Sequence, residues 1–315
     1  MLLQIFYTLY SALTSSLTPF AFPPPLKSGD HLICIAPSGA LKSINAFEKG
    51  VAIWRDRGYQ IEYGLHWDAK EGYLAGSDQQ RREALISAWK DPDCRGILCI
   101  RGGYGSARLL EQGDWSTVIQ TPKWLIGFSD ITGLLWQLAS LGLGAIHGPV
   151  LTTISDEPQW SLQRLFDAVE GRPLSALTGK GWGDGKAKGI LIPANLTVAT
   201  HLLGTALQPS LKHVILAFED VGEVPYRLDR LLTQWRMTGA LETVRGIALG
   251  RFSQSGSINP QGSWTVERVL HDRLGDLGIP VVSNLPFGHD GVNAALPVGS
   301  LVTLDGQKGN LIFHS

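Results

Sequence analysis

Ser129 lies in the run IGFSDITG, residues 126–133, where an apolar strand ends and a helix starts within two residues. A turn of that kind projects a hydroxyl over the carboxyl edge of a sheet, beside helix N–H groups that favour negative charge. The chemistry would be nucleophilic attack on a carbonyl. The strict G-x-S-x-G pattern of a nucleophile elbow fails, because Ile131 stands at its last position. The competing use is a helix cap supplied by Ser129 or Asp130.

A serine nucleophile needs a base, and the base needs an orienting acid. His289, in NLPFGHDGVN, sits in a glycine-flanked loop just after an expected strand, where an imidazole reaches a cleft. His31, His213 and His314 fall at strand or chain ends and His201 and His271 within expected helices, while His66 and His147 lie in expected loops and stay open. For the acid, Glu219 and Asp220 end the apolar strand VILAF, and Glu223 follows in the same loop. The carboxyl end of a buried strand is where α/β sheets place ligands. Salt bridges to Arg227 or Arg230 are the competing use. Side chains alternate along a strand, so Glu219 and Asp220 cannot share one cleft while strand geometry lasts.

A fourth candidate is RGGYG, residues 101–105. Adjacent glycines after a strand let backbone N–H groups approach an anion or a developing oxyanion. A dinucleotide fingerprint would need a third glycine where Arg108 stands, and no P-loop lysine follows. An oxyanion or carboxylate site is the better functional reading. A plain tight turn is the alternative.

The elements that must position these residues follow from the apolar pattern. Residues 32–36, 59–63, 96–100 and 124–128 read as strands, 44–57 and 129–141 as helices, and the stretch behind Ser77 as a further helix with Ala84, Leu85, Ala88 and Trp89 on one face. Ser77 with Gln80 forms a capping-box signature. Nearly all-apolar strands alternating with helices predict a parallel sheet covered on both faces. Residues 151–188 hold one helix, 159–170, and a Gly/Lys-rich stretch that reads as a crossover. A second unit follows, with helices at 195–203, 228–237 and 264–274 and strands at 213–218 and 246–249. It ends in short strands at 280–283, 301–304 and 311–314. The expected organisation is a leader over 1–27, a first domain over 28–150, a crossover over 151–188 and a second domain over 189–315.

Lys+Arg 27 against Asp+Glu 28 leaves a net charge of -1, without the basic footprint of a nucleic-acid binder. Hydrophobic residues at 44% and charged residues at 17% supply material for a core and exclude disorder as the main state. Cys34, Cys94 and Cys99 are an odd number without CxxC spacing, which argues against a disulfide framework and a zinc site. The first 26 residues carry no charged side chain, lack a basic n-region and are broken by Pro19. They read as a disordered extension or a cryptic signal rather than a membrane span. The folded unit is expected to begin near Gly29.

Five runs occur in this order: GDHLICIAPSG, RGGYGSARLL, IGFSDITGLLWQL, LAFEDVGEVPYRLDRLLTQW and NLPFGHDGVNAALPVG. Across about residues 28–315 they resemble the LD-carboxypeptidase family of serine peptidases, which also contains the microcin C self-immunity peptidases. The resemblance implies a Rossmann-like parallel-sheet amino-terminal domain and a smaller mixed α/β carboxy-terminal domain. It puts the nucleophile on Ser129, the acid on Glu219 of FED and the base on His289 of FGHD. Its implied reaction removes a carboxy-terminal D-amino acid from a murein tetrapeptide through an acyl-enzyme, without cofactor or metal. Backbone N–H groups at Gly103 and Asp130 would hold the oxyanion, and Arg101 the substrate carboxylate. The implied partner is a small peptide with a D-amino acid terminus, with no nucleic acid and no stable membrane insertion, and a homodimer is left open. The implied location is the cytoplasm, or the periplasm or exterior if the leader is a true signal. Alternatives are a peptide- or aminoacyl-nucleotide amidase conferring antibiotic resistance, an α/β-hydrolase esterase and a non-catalytic binding protein. Two departures stand out: Pro193-Ala194-Asn195 replaces the family's Gly-Gly-Asn, and the apolar leader has no counterpart in cytoplasmic members.

Overall fold

The computed structural model describes residues 20–111, 115–255 and 264–314. The expected leader therefore lies mostly outside the described residues. In the first unit β1 (His31–Ile35), β2 (Gln60–Tyr63), β3 (Cys94–Cys99), β4 (Trp124–Gly127) and β5 (Ala145–His147) are strands. Helices α1 (Ile44–Asp56), α2 (Asp78–Lys90), α3 (Ser116–Gln120), α4 (Thr132–Ser140) and α5 (Gln159–Val169) belong to the same unit. Ser43 caps α1, and Ser77 and Gln80 close the expected capping box on α2. Buried Phe47, Val51 and Trp54 form the inner face of α1.

The second unit holds β6 (Leu177–Thr178), β7 (Lys180–Gly181), β8 (Lys186–Asn195), β9 (Val214–Val221), β10 (Gly246–Ser253) and β11 (Val281–Ser283). Strands β12 (Leu296–Val298), β13 (Leu301–Asp305) and β14 (Asn310–Phe313) end the chain. Its helices are α6 (Leu196–Leu202), α7 (Pro225–Met237) and α8 (Val266–Leu274).

Two sheets result, ordered β12-β5-β4-β3-β1-β2 and β6-β14-β13-β8-β9-β10-β11-β7. In the first, β5, β4, β3, β1 and β2 run parallel, which bears out the Rossmann-like expectation. The second has a parallel centre, β8 to β11, and antiparallel flanks. The chain then returns: β12 pairs antiparallel with β5, Leu296 opposite His147. One apolar cluster spans both units, from Ile33 and Leu125 to Phe218 and Trp235. Trp136 of α4 sits in it and donates its indole N–H to Pro193 O of β8 at 3.2 Å.

Three boundaries differ from the sequence reading. The folded chain starts before Gly29. Ala21 bridges Leu143, Trp124 donates its indole N–H to Pro24 O, and buried Leu26 hydrogen-bonds Val169 O. Residues 151–188 are no bare crossover. Leu165, Phe166 and Val169 of α5 pack with Trp54 in the first unit's core, and β6 and β7 are edge strands of the second sheet. His147, expected in a loop, ends β5.

Candidate active site

The carboxyl ends of β4 and β9 face each other, and the segment between β11 and β12 crosses from one sheet to the other beside them. Glu219 and His289 meet there, and the His289 ring lies against Phe128, the residue before Ser129. After β4 the chain turns through Phe128, extended at φ -149°, into Ser129 at φ 62°. A positive φ is unfavourable for a non-glycine residue, so the turn is strained as a nucleophile elbow requires. The capping alternative does not describe what is seen. Phe128 is the N-cap of the short 3-10 turn and makes no side-chain cap bond. The Asp130 carboxylate accepts from Ser38 Oγ at 2.6 Å and Ser106 N at 2.8 Å and from no N–H of the helix that follows it.

His289 stands in the crossing segment. Its Nδ1 lies 2.6 Å from Glu219 Oε2, and its ring packs 4.6 Å, centroid to centroid, from Phe128. The loop is pinned by Gly288 N–H to Asn293 Oδ1, Asn293 N–H to Glu157 Oε2 and Arg251 N–H to Phe287 O. Glu219 is fully buried. Parallel pairing sets Asn195 of β8 opposite it, and the Asn195 amide donates to Glu219 Oε1 at 3.3 Å and Asp220 Oδ1 at 3.1 Å. Asp220 Oδ2 accepts the Thr197 N–H and hydroxyl, so that acid serves the start of α6. Glu223 lies 3.9 Å from Arg227. Only Glu219 of the three candidate acids reaches the imidazole. Asn195, which the sequence reading places at a helix start and gives no role in the site, holds both carboxylates; its N-cap position before α6 is the available signal.

Electrostatics follow from burial. Burial opposes the His289 imidazolium, but the hydrogen bond and charge of Glu219 outweigh it and hold the His289 pKa above its ordinary value. Burial pushes the Glu219 carboxyl up, with His289 pulling back. Behind them His147 is fully buried, which drives its pKa down to about 3 and keeps it neutral.

The glycine loop closes the other side. A Cβ on Gly102 would stand 2.9 Å from Ser129 Cβ, 3.1 Å from its Oγ and 3.4 Å from Asp130 N. Glycine at 102 therefore keeps open the space beside the hydroxyl. Sequence reasoning picked Gly103 and passed over Gly102. At Gly103, φ 114°, a Cβ would instead meet Gly39 Cα at 3.3 Å and the Arg101 guanidinium at 3.4 Å. Among the described residues neither the Asp130 N–H nor the Gly103 N–H donates to a protein acceptor. Arg101 is half-buried and donates from Nη1 to Ala40 O at 2.9 Å. It forms no ion pair among the described residues, and burial lowers its pKa. The described residues hold no group of three or more metal-ligating side chains.

Family models match both halves of the chain, the LD-carboxypeptidase N-terminal domain over residues 33–148 and its C-terminal domain over 188–304. This chain belongs to the LD-carboxypeptidase family. A putative carboxypeptidase of Synechocystis is 58% identical over 294 residues, covering 93% of this chain and 97% of that protein. The murein tetrapeptide carboxypeptidase of Pseudomonas aeruginosa is 32% identical over 293 residues, 87% of this chain and 92% of that one. The crystal structure of muramoyltetrapeptide carboxypeptidase from Oxalobacter formigenes matches with a TM-score of 0.82 at 27% identity, over 90% of this chain and 97% of that one. Membership of the LD-carboxypeptidases makes this chain a carboxypeptidase. No helix among its described residues is long and apolar enough to cross a membrane.

Proposed function

We propose that this LD-carboxypeptidase is of the serine type and removes the terminal D-amino acid from murein tetrapeptides. The observation that carries the mechanism is the 2.6 Å Glu219–His289 contact, with the imidazole packed at a tilt against the residue preceding a strained serine. The substrate class rests on the names of the Pseudomonas and Oxalobacter proteins. With Nδ1 engaged by Glu219, His289 Nε2 takes the Ser129 proton as Oγ attacks the carbonyl carbon. The Asp130 and Gly103 N–H groups receive the oxyanion, an arrangement in which one donor contributes about 10²–10³ in rate. The imidazolium then protonates the departing amine, leaving the tripeptide acylated on Ser129. Water, deprotonated by the same imidazole, releases it. Arg101 supplies the charge for the terminal carboxylate.

Mass analysis of a murein tetrapeptide after incubation with the protein is expected to show loss of one terminal alanine and no other cut. An unchanged tetrapeptide beside a cleaved aminoacyl-sulfamoyl nucleotide would transfer the proposal to the resistance reaction.

The acid has its own signature. Glu219→Gln keeps the side chain's shape but removes the charge that stabilises the imidazolium, so kcat is expected to fall about 10³–10⁴-fold. A base works only when neutral, so kcat/KM of the wild type rises with pH through a His289 pKa held above the ordinary 6.5. In Glu219→Gln that acid limb is expected at lower pH, whereas Glu223→Gln leaves it in place and keeps most of kcat. A pH–rate profile of the two variants measures this. A dead Glu223→Gln beside an active Glu219→Gln would move the acid to Glu223.

A further inference from the structure

The run APSGA, residues 36–40, lies between β1 and α1 and takes no part in the mechanism above. Its contacts converge on that mechanism. Ser38, fully buried, donates its hydroxyl to Asp130 Oδ2 at 2.6 Å. Gly39 donates its N–H to Gly102 O at 3.1 Å. Ala40 O receives Arg101 Nη1 at 2.9 Å. Three consecutive residues thus hold the residue after Ser129, the glycine loop and the Arg101 guanidinium.

The direction of these bonds matters. A trans peptide is planar, with its C=O and N–H pointing opposite ways. Anchoring Gly102 O on Gly39 aims the N–H of the same peptide, that of Gly103, away from the brace. Ser38 does the equivalent for Asp130. Its bond fixes the carboxylate, Ser106 fixes both that carboxylate and the Asp130 carbonyl, and the Asp130 backbone is left in one orientation. Donors that stabilise an oxyanion act through such prior fixing, because no reorganisation is then needed as charge develops.

We infer that Ser38 and Gly39 are positioning residues for the oxyanion: through Asp130 and the Gly102–Gly103 peptide they set the two N–H groups that receive it. This rests on the serine mechanism proposed above. Neither residue touches the reacting atoms. Their effect belongs to the transition state and not to substrate binding. Gly39 also has a steric role, since a Cβ there would meet Arg101 Nη1 at 2.6 Å and Gly102 O at 3.0 Å.

Ser38→Ala removes one buried hydroxyl and leaves Asp130 with its Ser106 bonds, so it should fold with a near wild-type thermal transition. Three readouts separate positioning from general damage: kcat/KM on murein tetrapeptide, the inhibition constant of a boronic acid analogue carrying boron at the scissile carbonyl, and tetrapeptide Kd measured with Ser129→Ala present. Expected is a loss of about tenfold in kcat/KM. The boronate should weaken by the same factor, and tetrapeptide Kd should stay within about twofold. Gly39→Ala displaces the Gly102 peptide and also crowds the Arg101 guanidinium, so it is expected to lose more of kcat/KM and to raise tetrapeptide Kd as well. A Ser38→Ala protein with kcat/KM within about twofold of wild type, or one in which Kd shifts as much as kcat/KM, would overturn the inference. Turnover by Ser129→Ala, or none by wild type, would instead remove the mechanism it rests on.

Discussion

Ser129→Ala is expected to lose about 10⁴–10⁶ of kcat on murein tetrapeptide while folding as the wild type does. The Ser129 hydroxyl supplies no cap bond to the turn it starts, so its removal leaves the fold's hydrogen bonds in place. Its positive φ strains alanine about as it strains serine. Steady-state kinetics and a thermal unfolding curve measure both halves. If the residue were instead a helix cap, kcat would survive. The thermal midpoint would then fall by about 1.5 °C, the shift that the loss of about 1 kcal/mol gives a chain of this size.

His289→Ala is expected to reduce kcat nearly as far, and Ser129→Ala with His289→Ala no further than either alone. The imidazole serves only by moving the serine's proton, so its value disappears once the hydroxyl is gone. Multiplied losses would show that the two act separately. The variant has a second, structural consequence. It strands Glu219, fully buried and with its His289 partner removed, and a buried charge without its partner is costly. Protonation relieves that cost. The carboxyl's pKa is already raised by burial in the intact pair; removing the imidazole raises it further. The deficit in stability against wild type should therefore be largest at neutral pH and shrink as pH falls through that raised pKa. Denaturant unfolding at several pH values measures it; a deficit independent of pH would mean that Glu219 is not left charged.

Much of this site could be read from the chain because its parts are local. A strand that ends in Gly-Phe-Ser-Asp, a carboxylate at the end of VILAF and a histidine between glycines each announce a strand-end turn. The structure puts Ser129 and His289 at such turns and keeps Glu219 within β9, two residues before its end. What could not be read are features set by chain crossings. Strand β8 follows a lysine-rich stretch and contains Pro193, which argues against a central strand. It is tolerated because pairing with β13 ends at Ile190, leaving one side of Pro193 free of a ladder. Strand β12 has three residues and pairs in the sheet of the other unit, and no periodicity signals that. It nevertheless carries the His289 loop across the boundary. The packing of residues 20–26 was hidden by the three prolines that follow Phe22, although Leu26 and the Pro24 carbonyl are bound to the first unit.

The acyl-enzyme on Ser129 is the central claim, and its capture is the most direct test. A murein depsipeptide with D-lactate in place of the terminal D-alanine acylates faster than the amide, so the intermediate accumulates. Acid quenching during turnover, followed by peptide mapping, is expected to find the tripeptidyl group on the peptide containing Ser129 and nowhere else. The acyl group on another residue, or continued turnover of the depsipeptide by Ser129→Ala, would contradict the account.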